Sequence, residues 1–375
     1  MGIVIIGPVF DATGYAEVVR NIAFGLDRMG IEVRLEPRSL SLVTPVFKAS
    51  VESSLRRMAG NKSVVPKIAL HIFLAGFFQP IPGLYNIGFS MIEVDRLPSQ
   101  WVERCNLMNE VWVPSSFNLE AFSASGVHRG ILKVMPLGID VGAYCPHGLS
   151  LEVKGLRGFV FLSVFEWILR KGYDLLLRAF CEEFGPNEDV TLLLRVHDNS
   201  KYDPHGRKIR ENIRAICHLH GRDDRQIIVL SSILPADLMP ALYRTADCFV
   251  LPTRGEGWNM PAMEAMACGL PVISTKWSGQ MEFMQHAPCY LIDIEGLEPV
   301  PMQGIPNDSV YAGANWARPS VPHLRRLMRH VFENREEARE IGRRASDFVR
   351  SHYSWDISVG RICNRLKEVD PHGMG

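Results

Sequence analysis

The sequence of 375 residues has no excess of either charge and no paired cysteines. Its 41 basic residues balance its 41 acidic residues. The first 150 positions hold 13 of the basic and 12 of the acidic residues, so neither part of the chain is a basic nucleic-acid module or an acidic tail. The eight cysteines are scattered singly, which disfavours structural zinc and favours buried, reduced side chains. The balanced charge excludes a generic DNA-binding protein.

Long apolar runs are absent as well. No stretch of 18 apolar residues occurs, so we expect no transmembrane helix. Met1 leads into an apolar strand without the charged region and long apolar region of a signal peptide, so we expect none. With 47% hydrophobic and 22% charged residues the chain has the composition of an ordinary globular protein. We therefore expect a cytoplasmic protein, with at most peripheral contact at the inner face of the membrane.

Apolar runs of strand length alternate with segments of helical periodicity along the chain. The first unit is a strand over 2–7, a helix over 15–29 and a strand over 31–35. The alternation continues to about residue 135 and restarts with an apolar strand over 159–165, after loops rich in proline and glycine. This pattern predicts an α/β protein with two Rossmann-like, doubly wound domains that face each other across a cleft, with a boundary near residue 150.

The most informative stretch is 252–269, which reads PTRGEGWNMPAMEAMACG. Glu256 and Glu264 are eight residues apart, and a glycine stands on each side of the first. Pro261 suits the first turn of a helix, and Asn259 lies near its cap. A glycine-rich loop followed by a helix N-terminus forms an anion site, because free backbone N–H groups and the positive end of the dipole face the ligand. The alternative is a capped helix whose two acids only complement its dipole.

This stretch resembles the E-x7-E signature of retaining glycosyltransferases of family 4 (glycosyltransferase group 1), which have the GT-B fold. Other segments resemble that family in the same order: the glycine loop over 7–14, VMPLGID over 134–140, the strand–helix unit over 161–180, and YSW over 353–355, which precedes a helix that returns to the first domain. The resemblance therefore predicts a first, acceptor-side domain of residues 1–150 plus about 352–375. Residues 151–351 would form the nucleotide-sugar donor domain.

The resemblance implies a role for each residue of the donor site. Glu264 would bond the ribose hydroxyls, Glu256 would hold the donor sugar, and Lys171 would lie on the diphosphate, where the leaving group gains negative charge. The end of a strand over 230–234 would lie beside the base. The remaining donor-binding residues would be Gly14, Arg170, Gly257, Trp258, Asn259 and Met260. Trp258 could instead be a core aromatic residue.

Two departures from the family pattern leave alternatives open. The family pairs its lysine with an arginine about six residues earlier, and this chain has VFEW over 164–167. Arg170 is the candidate replacement, or a solvated residue at a helix start. The family also places a histidine in the first domain, where this chain reads FSMIEVDR over 89–96. Glu93, as a catalytic candidate, and Asp95 are the acids there, and His71 is either a further candidate or a core histidine.

Weaker signals lie on other loops. The segment RVHD over 195–198 ends a strand on its ligand-binding side, and it is either a donor contact or a plain loop. SGQ over 278–280 could add backbone amides to a phosphate pocket, or only make a tight turn. Residues 47–70, from Phe47 to Leu70, hold five basic residues against one acid and are either a contact for an anionic membrane surface or acceptor, or a solvated helix and loop.

Together these observations predict a retaining glycosyltransferase that moves a hexose-type sugar from a nucleoside-diphosphate sugar to a hydroxyl acceptor, in polysaccharide, lipopolysaccharide or glycoconjugate biosynthesis. The acceptor would be a carbohydrate or lipid-linked, and no nucleic acid is expected. No D-x-D pair follows a strand, so we expect no metal and no cofactor besides the donor. The alternatives are a catalytically silent nucleotide-sugar-binding protein and a GT-B-fold epimerase or phosphorylase. A pyridoxal-type phosphorylase would need Lys276 as its Schiff base.

Overall fold

The computed structural model describes residues 1–41, 44–45, 47–197, 206–231, 234–301 and 310–370. These residues form two compact units, each with its own parallel sheet. The first comprises Met1–Gly138 and His352–Gly375, and the second Ile139–Ser351. In the described residues, no helix combines the length and the apolar character needed to cross a bilayer.

The first unit contains a six-stranded sheet with the strand order β2-β1-β3-β4-β5-β6. Its strands are β1 (Gly2–Pro8), β2 (Glu32–Arg38), β3 (Ile68–Ile72), β4 (Tyr85–Phe89), β5 (Glu110–Val113) and β6 (Leu132–Val134). Its first four helices are α1 (Gly14–Arg28), α2 (Ala49–Gly60), α3 (Ser99–Cys105) and α4 (Ser116–Ala124). All neighbouring strands are parallel, as the alternation of strands and helices predicts.

The second unit contains a six-stranded parallel sheet with the order β12-β11-β10-β7-β8-β9, and a separate antiparallel pair. Its helices are α5 (Tyr173–Glu183), α6 (Arg207–Leu219), α7 (Met239–Tyr243), α8 (Met260–Ala267), α9 (Met281–Met284), α10 (Val321–Glu333) and α11 (Arg335–His352). The sheet consists of β7 (Phe159–Glu166), β8 (Val190–His197), β9 (Ile227–Leu230), β10 (Cys248–Leu251), β11 (Val272–Thr275) and β12 (Tyr290–Ile292). The antiparallel pair is β13 (Ile294–Pro299) and β14 (Asn315–Pro319).

The strand order of the second unit determines where a ligand can bind. The chain runs from β7 outward to β9, and then returns to β10 on the other side of β7. The loops after β7 and β10 therefore leave the sheet in opposite directions and open a crevice at the carboxyl ends of these two strands. Both strands are buried, β7 except at its last residue, as expected for a parallel sheet covered on both faces.

The two units divide after Gly138, somewhat before the boundary that the sequence predicts near residue 150. Residues 139–150 belong to the second unit. Two arginines hold them there: Arg350 donates to the carbonyl oxygens of Val141 and Tyr144, and Arg244 donates to those of Cys145 and Leu149. Loop composition alone does not reveal this, because the partners are backbone oxygens far away in sequence.

The last helix, α12 (Trp355–Val369), packs on the first unit. It approaches α1 at Gly25, where an added Cβ would lie 2.6 Å from a methyl group of Val359. Near its other end, Arg365 Nε lies 3.1 Å from Oε1 of Glu110, which is buried in β5. Burial raises the pKa of Glu110, but its hydrogen bonds with Arg365 and Trp112 outweigh burial and hold the pKa below its usual range.

We expect Glu110→Gln to lower the stability of the first unit by about 2 kcal/mol at neutral pH, because it removes the charge of a buried pair. Since the folded-state pKa of Glu110 is depressed, its contribution is complete at neutral pH and is lost as the pH falls below about 4.3. Denaturant titrations between pH 7 and pH 2.5 measure this. The difference between wild type and variant should shrink toward low pH, and a constant difference would contradict the account.

The basic segment over 47–70 contains α2, and ion pairs neutralise much of its charge. Arg56 pairs with Glu52 in the same helix, and Arg57 pairs with Asp27 of α1. Lys67 lies 3.4 Å from a carboxylate oxygen of Asp370. Contact with an anionic surface stays a prediction, with less uncompensated charge behind it than the sequence alone indicates.

Candidate functional site

Lys171 and Glu256 meet at the crevice of the second unit. Lys171 ends a short 3-10 turn (Leu169–Lys171) after β7, and Glu256 lies in the loop after β10. The Nζ atom of Lys171 lies 2.7 Å from Oε1 and 2.8 Å from Oε2 of Glu256. Both side chains are largely buried, with 12% and 6% of their surfaces exposed. The sequence interval of 85 residues between them is closed because their strands are neighbours in the sheet.

Arg170 lies on the same carboxylate. Its Nη1 donates to the carbonyl oxygen of Gly255 at 2.6 Å and lies 3.4 Å from Oε2 of Glu256. The side chain is buried, so the solvated interpretation of Arg170 is wrong. The position where the family places its arginine is filled instead by a stack of rings, in which Trp167 lies 5.8 Å from Phe165 and 4.4 Å from Tyr173 between centroids.

The electrostatics of this cluster suit an anionic ligand. Burial raises the pKa of Glu256, but the charges of Lys171 and Arg170 outweigh burial and hold the pKa below its usual range. Glu256 is therefore ionised at neutral pH and accepts hydrogen bonds. Both cations lie on this one carboxylate, and the loop leads into the N-terminus of α8, whose dipole favours an anion as well.

The loop between Glu256 and α8 is held in a strained conformation. Among the described residues, the non-glycine residues with positive φ are Asn259 at 77° and Ser278 at 72°, and both lie in this site. Asn259 caps α8 by accepting from the N–H of Ala262, while Ser278 Oγ accepts from the N–H of Glu256. The N–H of Gly279 donates to the Glu256 carbonyl. Such strain clusters at functional sites, and SGQ over 278–280 therefore supports the loop rather than making only a turn.

Glu264 is presented from the second turn of α8. Its Oε2 accepts a hydrogen bond of 2.6 Å from the hydroxyl of Tyr243 in α7. Burial raises the pKa of that phenol well above its usual value, and the Glu264 charge adds to the effect. Tyr243 therefore stays protonated and holds one carboxylate oxygen. The sequence gives no sign of this partner, because its spacing from Glu264 matches no motif.

Arg254 ties the glutamate loop to its surroundings, and sequence reasoning missed it. Its guanidinium binds Asp174 at the start of α5 with two hydrogen bonds of 2.8 and 2.7 Å, and donates to the Leu169 carbonyl. It also lies 3.5 Å from Glu298 in β13 and over the ring of Trp316 in β14. Through Arg254, the antiparallel pair of β13 and β14 thus contacts the loop that carries Glu256.

We expect Arg254→Met to lower the stability of the second unit by about 2 kcal/mol, because it leaves Asp174 and Glu298 without their buried partner. The effect is below that of a fully buried pair, since both acids are about one-third exposed and can rehydrate. Denaturant unfolding measures it. Arg343→Met, which removes an arginine from exposed pairs of α11, is the control and should leave the transition in place.

For Trp258 and His71 the structure favours the core interpretation that the sequence leaves open. Trp258 is buried and its ring packs 5.3 Å from that of Phe283, so the structure favours the core interpretation for its ring. His71 is also a core residue, 3.3 Å from Asn86, and burial lowers its pKa. Lys276 is exposed, which is the opposite of the enclosed setting that a Schiff-base lysine needs.

In the first unit, the structure brings together residues at the carboxyl ends of β1 and β4. The hydroxyl of Tyr15 lies 3.1 Å from Ser90 Oγ and accepts from the N–H of Met91. Burial raises the pKa of Tyr15, and the nearby Glu93 charge adds to this. Gly14 precedes Tyr15, is exposed and has no atom within 4 Å of an added Cβ, so packing does not require a glycine there.

Arg195 and His197 end β8 beside the crevice, with Nη1 of Arg195 3.0 Å from Nδ1 of His197. Asp198 and part of the segment over 230–234 lie outside the described residues. A cavity of about 240 Å³ lies at the amino ends of β10 and β11, away from the crevice, and is lined in part by Arg244, Asp247 and Arg339. Within the described ranges, no three His, Cys, Asp or Glu side chains converge as metal ligands would.

Part of the second unit matches a known protein family. Residues 157–297 match the family model described as glycosyl transferases group 1. The mannosylfructose-phosphate synthase of Agrobacterium fabrum is 28% identical over 159 residues, which are 41% of this chain and 34% of that protein. A GDP-mannose-dependent alpha-(1-6)-phosphatidylinositol monomannoside mannosyltransferase of Mycolicibacterium smegmatis is 27% identical over 68% of this chain and 69% of its own.

Solved structures align over nearly the whole chain. Anabaena HepE, in complex with UDP and glucose, has a TM-score of 0.67 at 15% identity and covers 98% of this chain and 99% of its own. Sucrose-phosphate synthase of Thermosynechococcus elongatus has a TM-score of 0.70 at 16% identity and covers 98% of each chain. Together, the matches confirm the predicted resemblance to group 1, the predicted pair of Rossmann-like domains and the predicted enzyme class.

Proposed function

We propose that this nucleotide-sugar-dependent glycosyltransferase is a retaining, metal-independent enzyme that moves a hexose-type sugar to a hydroxyl acceptor. The observation that carries the proposal is the buried contact between Lys171 and Glu256 at the switch point of the second unit. A cation, an ionised carboxylate and a helix N-terminus meet there, which are the groups that a sugar joined to a diphosphate requires.

In this proposal each group has a separate task. The diphosphate would lie at the N–H groups of residues 257–260 and accept from Lys171 and Arg170. Glu256 would turn from Lys171 to the hydroxyls of the sugar, which its ionised state allows. Glu264, whose carboxylate is oriented by the hydroxyl of Tyr243, would receive the ribose hydroxyls. In this arrangement Lys171, Arg170 and the N-terminus of α8 offset the charge of the phosphates, and the proposal needs no metal.

Transfer would proceed with the diphosphate leaving as negative charge develops on its bridging oxygen. Lys171, Arg170 and the α8 dipole stabilise that charge in place, which is the electrostatic contribution expected of preorganised donors. The acceptor hydroxyl would attack the anomeric carbon from the face that the diphosphate leaves. The leaving phosphate would take the hydroxyl proton, so the configuration at the anomeric carbon would be kept.

The acceptor site is proposed for the first unit, where Tyr15, Ser90 and Glu93 come together. The relatives act on different acceptors according to their names, which include a phosphatidylinositol monomannoside. We therefore propose a carbohydrate or lipid-linked acceptor of glycoconjugate, polysaccharide or lipopolysaccharide synthesis, in the cytoplasm or at the inner face of a membrane.

Donor turnover followed by proton NMR tests this proposal. The protein is incubated with UDP-glucose or GDP-mannose and EDTA, with water or a simple glycoside as the acceptor, and the anomeric signal of the first product is recorded. We expect the α-configuration of the donor in the product and no loss of rate with EDTA. A β-product would contradict retention, and a rate restored only by Mg²⁺ would contradict metal independence. Binding without any turnover would favour a silent binding protein.

A further inference from the structure

Arg195 is a buried arginine that the proposed transfer does not use. It lies near the C-terminal end of β8, one strand beyond the switch point, in register with Val164 of β7 and Leu230 of β9. Only 8% of its surface is exposed. A guanidinium at this depth is costly unless its N–H groups meet acceptors.

The described residues do not supply an acceptor for every N–H group of Arg195. Nη1 of Arg195 lies 3.0 Å from Nδ1 of His197, whereas its buried Nε has no hydrogen-bond partner in the described part of the chain. Burial lowers the pKa of Arg195, and the carboxylate of Glu264 opposes this from within electrostatic reach. A buried N–H group of Arg195 thus lacks an acceptor from the described residues.

The order of the strands indicates which part of a donor would reach Arg195. This step rests on the proposed function, with the diphosphate at Lys171 and the ribose at Glu264. Lys171 follows β7, next to β10, and Arg195 lies on the other side of β7. Phosphate, ribose and base follow one another in a nucleotide, and Glu264, the proposed ribose contact, lies within electrostatic reach of Arg195. The base beyond that ribose therefore extends toward β8.

We propose that Arg195 contacts the donor's base and selects guanine. A guanidinium offers parallel N–H groups in one plane. Guanine presents two acceptors, O6 and N7, on one edge, and arginine pairs with both in nucleic-acid complexes. Adenine places an amino donor beside N7, and uracil has O4 without a second acceptor on that edge. Of these bases, only guanine satisfies two N–H groups of Arg195 together.

Calorimetric binding to the wild-type protein tests the base preference without any variant. The ligands are GDP, IDP, UDP, ADP and 7-deaza-GDP. We expect GDP and IDP, which share O6 and N7, to bind at least about tenfold more tightly than UDP and ADP. The 7-deaza compound should bind several-fold more weakly than GDP. Tightest binding of UDP or ADP, or equal binding of GDP and 7-deaza-GDP, would overturn the proposal.

Two variants separate base selection from general binding. Arg195→Lys keeps the charge but loses the planar pair of donors, so GDP should weaken about tenfold while UDP is unchanged. Glu264→Gln is the matched control and should weaken all of the nucleotides by one common factor, since they share the ribose. Equal weakening of GDP and UDP by Arg195→Lys would overturn the selection of guanine. If no nucleoside diphosphate binds, the proposed function itself fails.

Discussion

Lys171→Ala is expected to lower kcat for donor turnover by about 10²- to 10³-fold, the largest effect of any single change predicted for this protein. Lys171 supplies a preorganised positive charge where the leaving diphosphate becomes more negative, and removing one such donor typically has a cost of this size. Glu256→Gln should act similarly, because it removes the ionised acceptor of the sugar hydroxyls. Steady-state rates with saturating donor measure both effects.

Controls distinguish a chemical role from a structural one. Lys171→Arg keeps the charge and should recover part of the rate lost in the alanine variant. Lys154→Ala removes an exposed lysine of the same unit and should leave kcat unchanged. Thermal unfolding of each variant establishes that it is folded. If folded Lys171→Ala or Glu256→Gln variants turned over donor at the wild-type rate, the roles given to these two residues would be wrong.

Gly172→Ala should be the most disruptive conservative substitution near the site. Gly172 follows Lys171 at a φ of 72°, and an added Cβ would lie 2.0 Å from the carbonyl oxygen of Pro252. The backbone must shift there, and Lys171 shifts with it. We expect a loss of about 3 kcal/mol in unfolding free energy and about 10²-fold in turnover, because an error of 1 Å in position can have that effect on rate.

Gly221→Ala separates the strain of a positive φ from the contact of the added Cβ with Pro252. Gly221 has a similar φ of 67°, but nothing lies within 4 Å of an added Cβ. Its substitution should therefore cost only the strain of a left-handed residue, about 1 kcal/mol, and leave turnover intact. Denaturant unfolding and donor turnover of both variants provide the comparison. Equal losses at the two glycines would mean that the contact with Pro252 is unimportant.

The sequence predicts the fold and the centre of the site because these depend on local patterns. Apolar runs mark the buried parallel strands, and the frame of glycine, asparagine and proline around Glu256 marks a loop and a capped helix. Strand order then brings Lys171 to Glu256. The resemblance to group 1 adds the roles, which local patterns alone do not supply.

Long-range contacts are what the sequence could not predict. In the sequence, no pattern distinguishes Arg254 from the other residues of its loop. In the structure, it joins Asp174 to the β13–β14 pair. The hydroxyl of Tyr243 in α7 donates to the carboxylate of Glu264 in α8. Sequence reasoning also misses β13 and β14 themselves, since Ile294–Pro299 has neither a clean alternation nor a turn signal that would pair it with a distant strand.

Amide hydrogen exchange with and without a nucleoside diphosphate tests the central claim most directly, because it locates the bound ligand on the chain. GDP and UDP are both used, and peptides covering the whole chain are compared. We predict that protection rises at residues 169–173 and 255–260, which surround the contact between Lys171 and Glu256. Protection confined to the cavity at the amino ends of β10 and β11, around Arg244 and Arg339, would contradict the account.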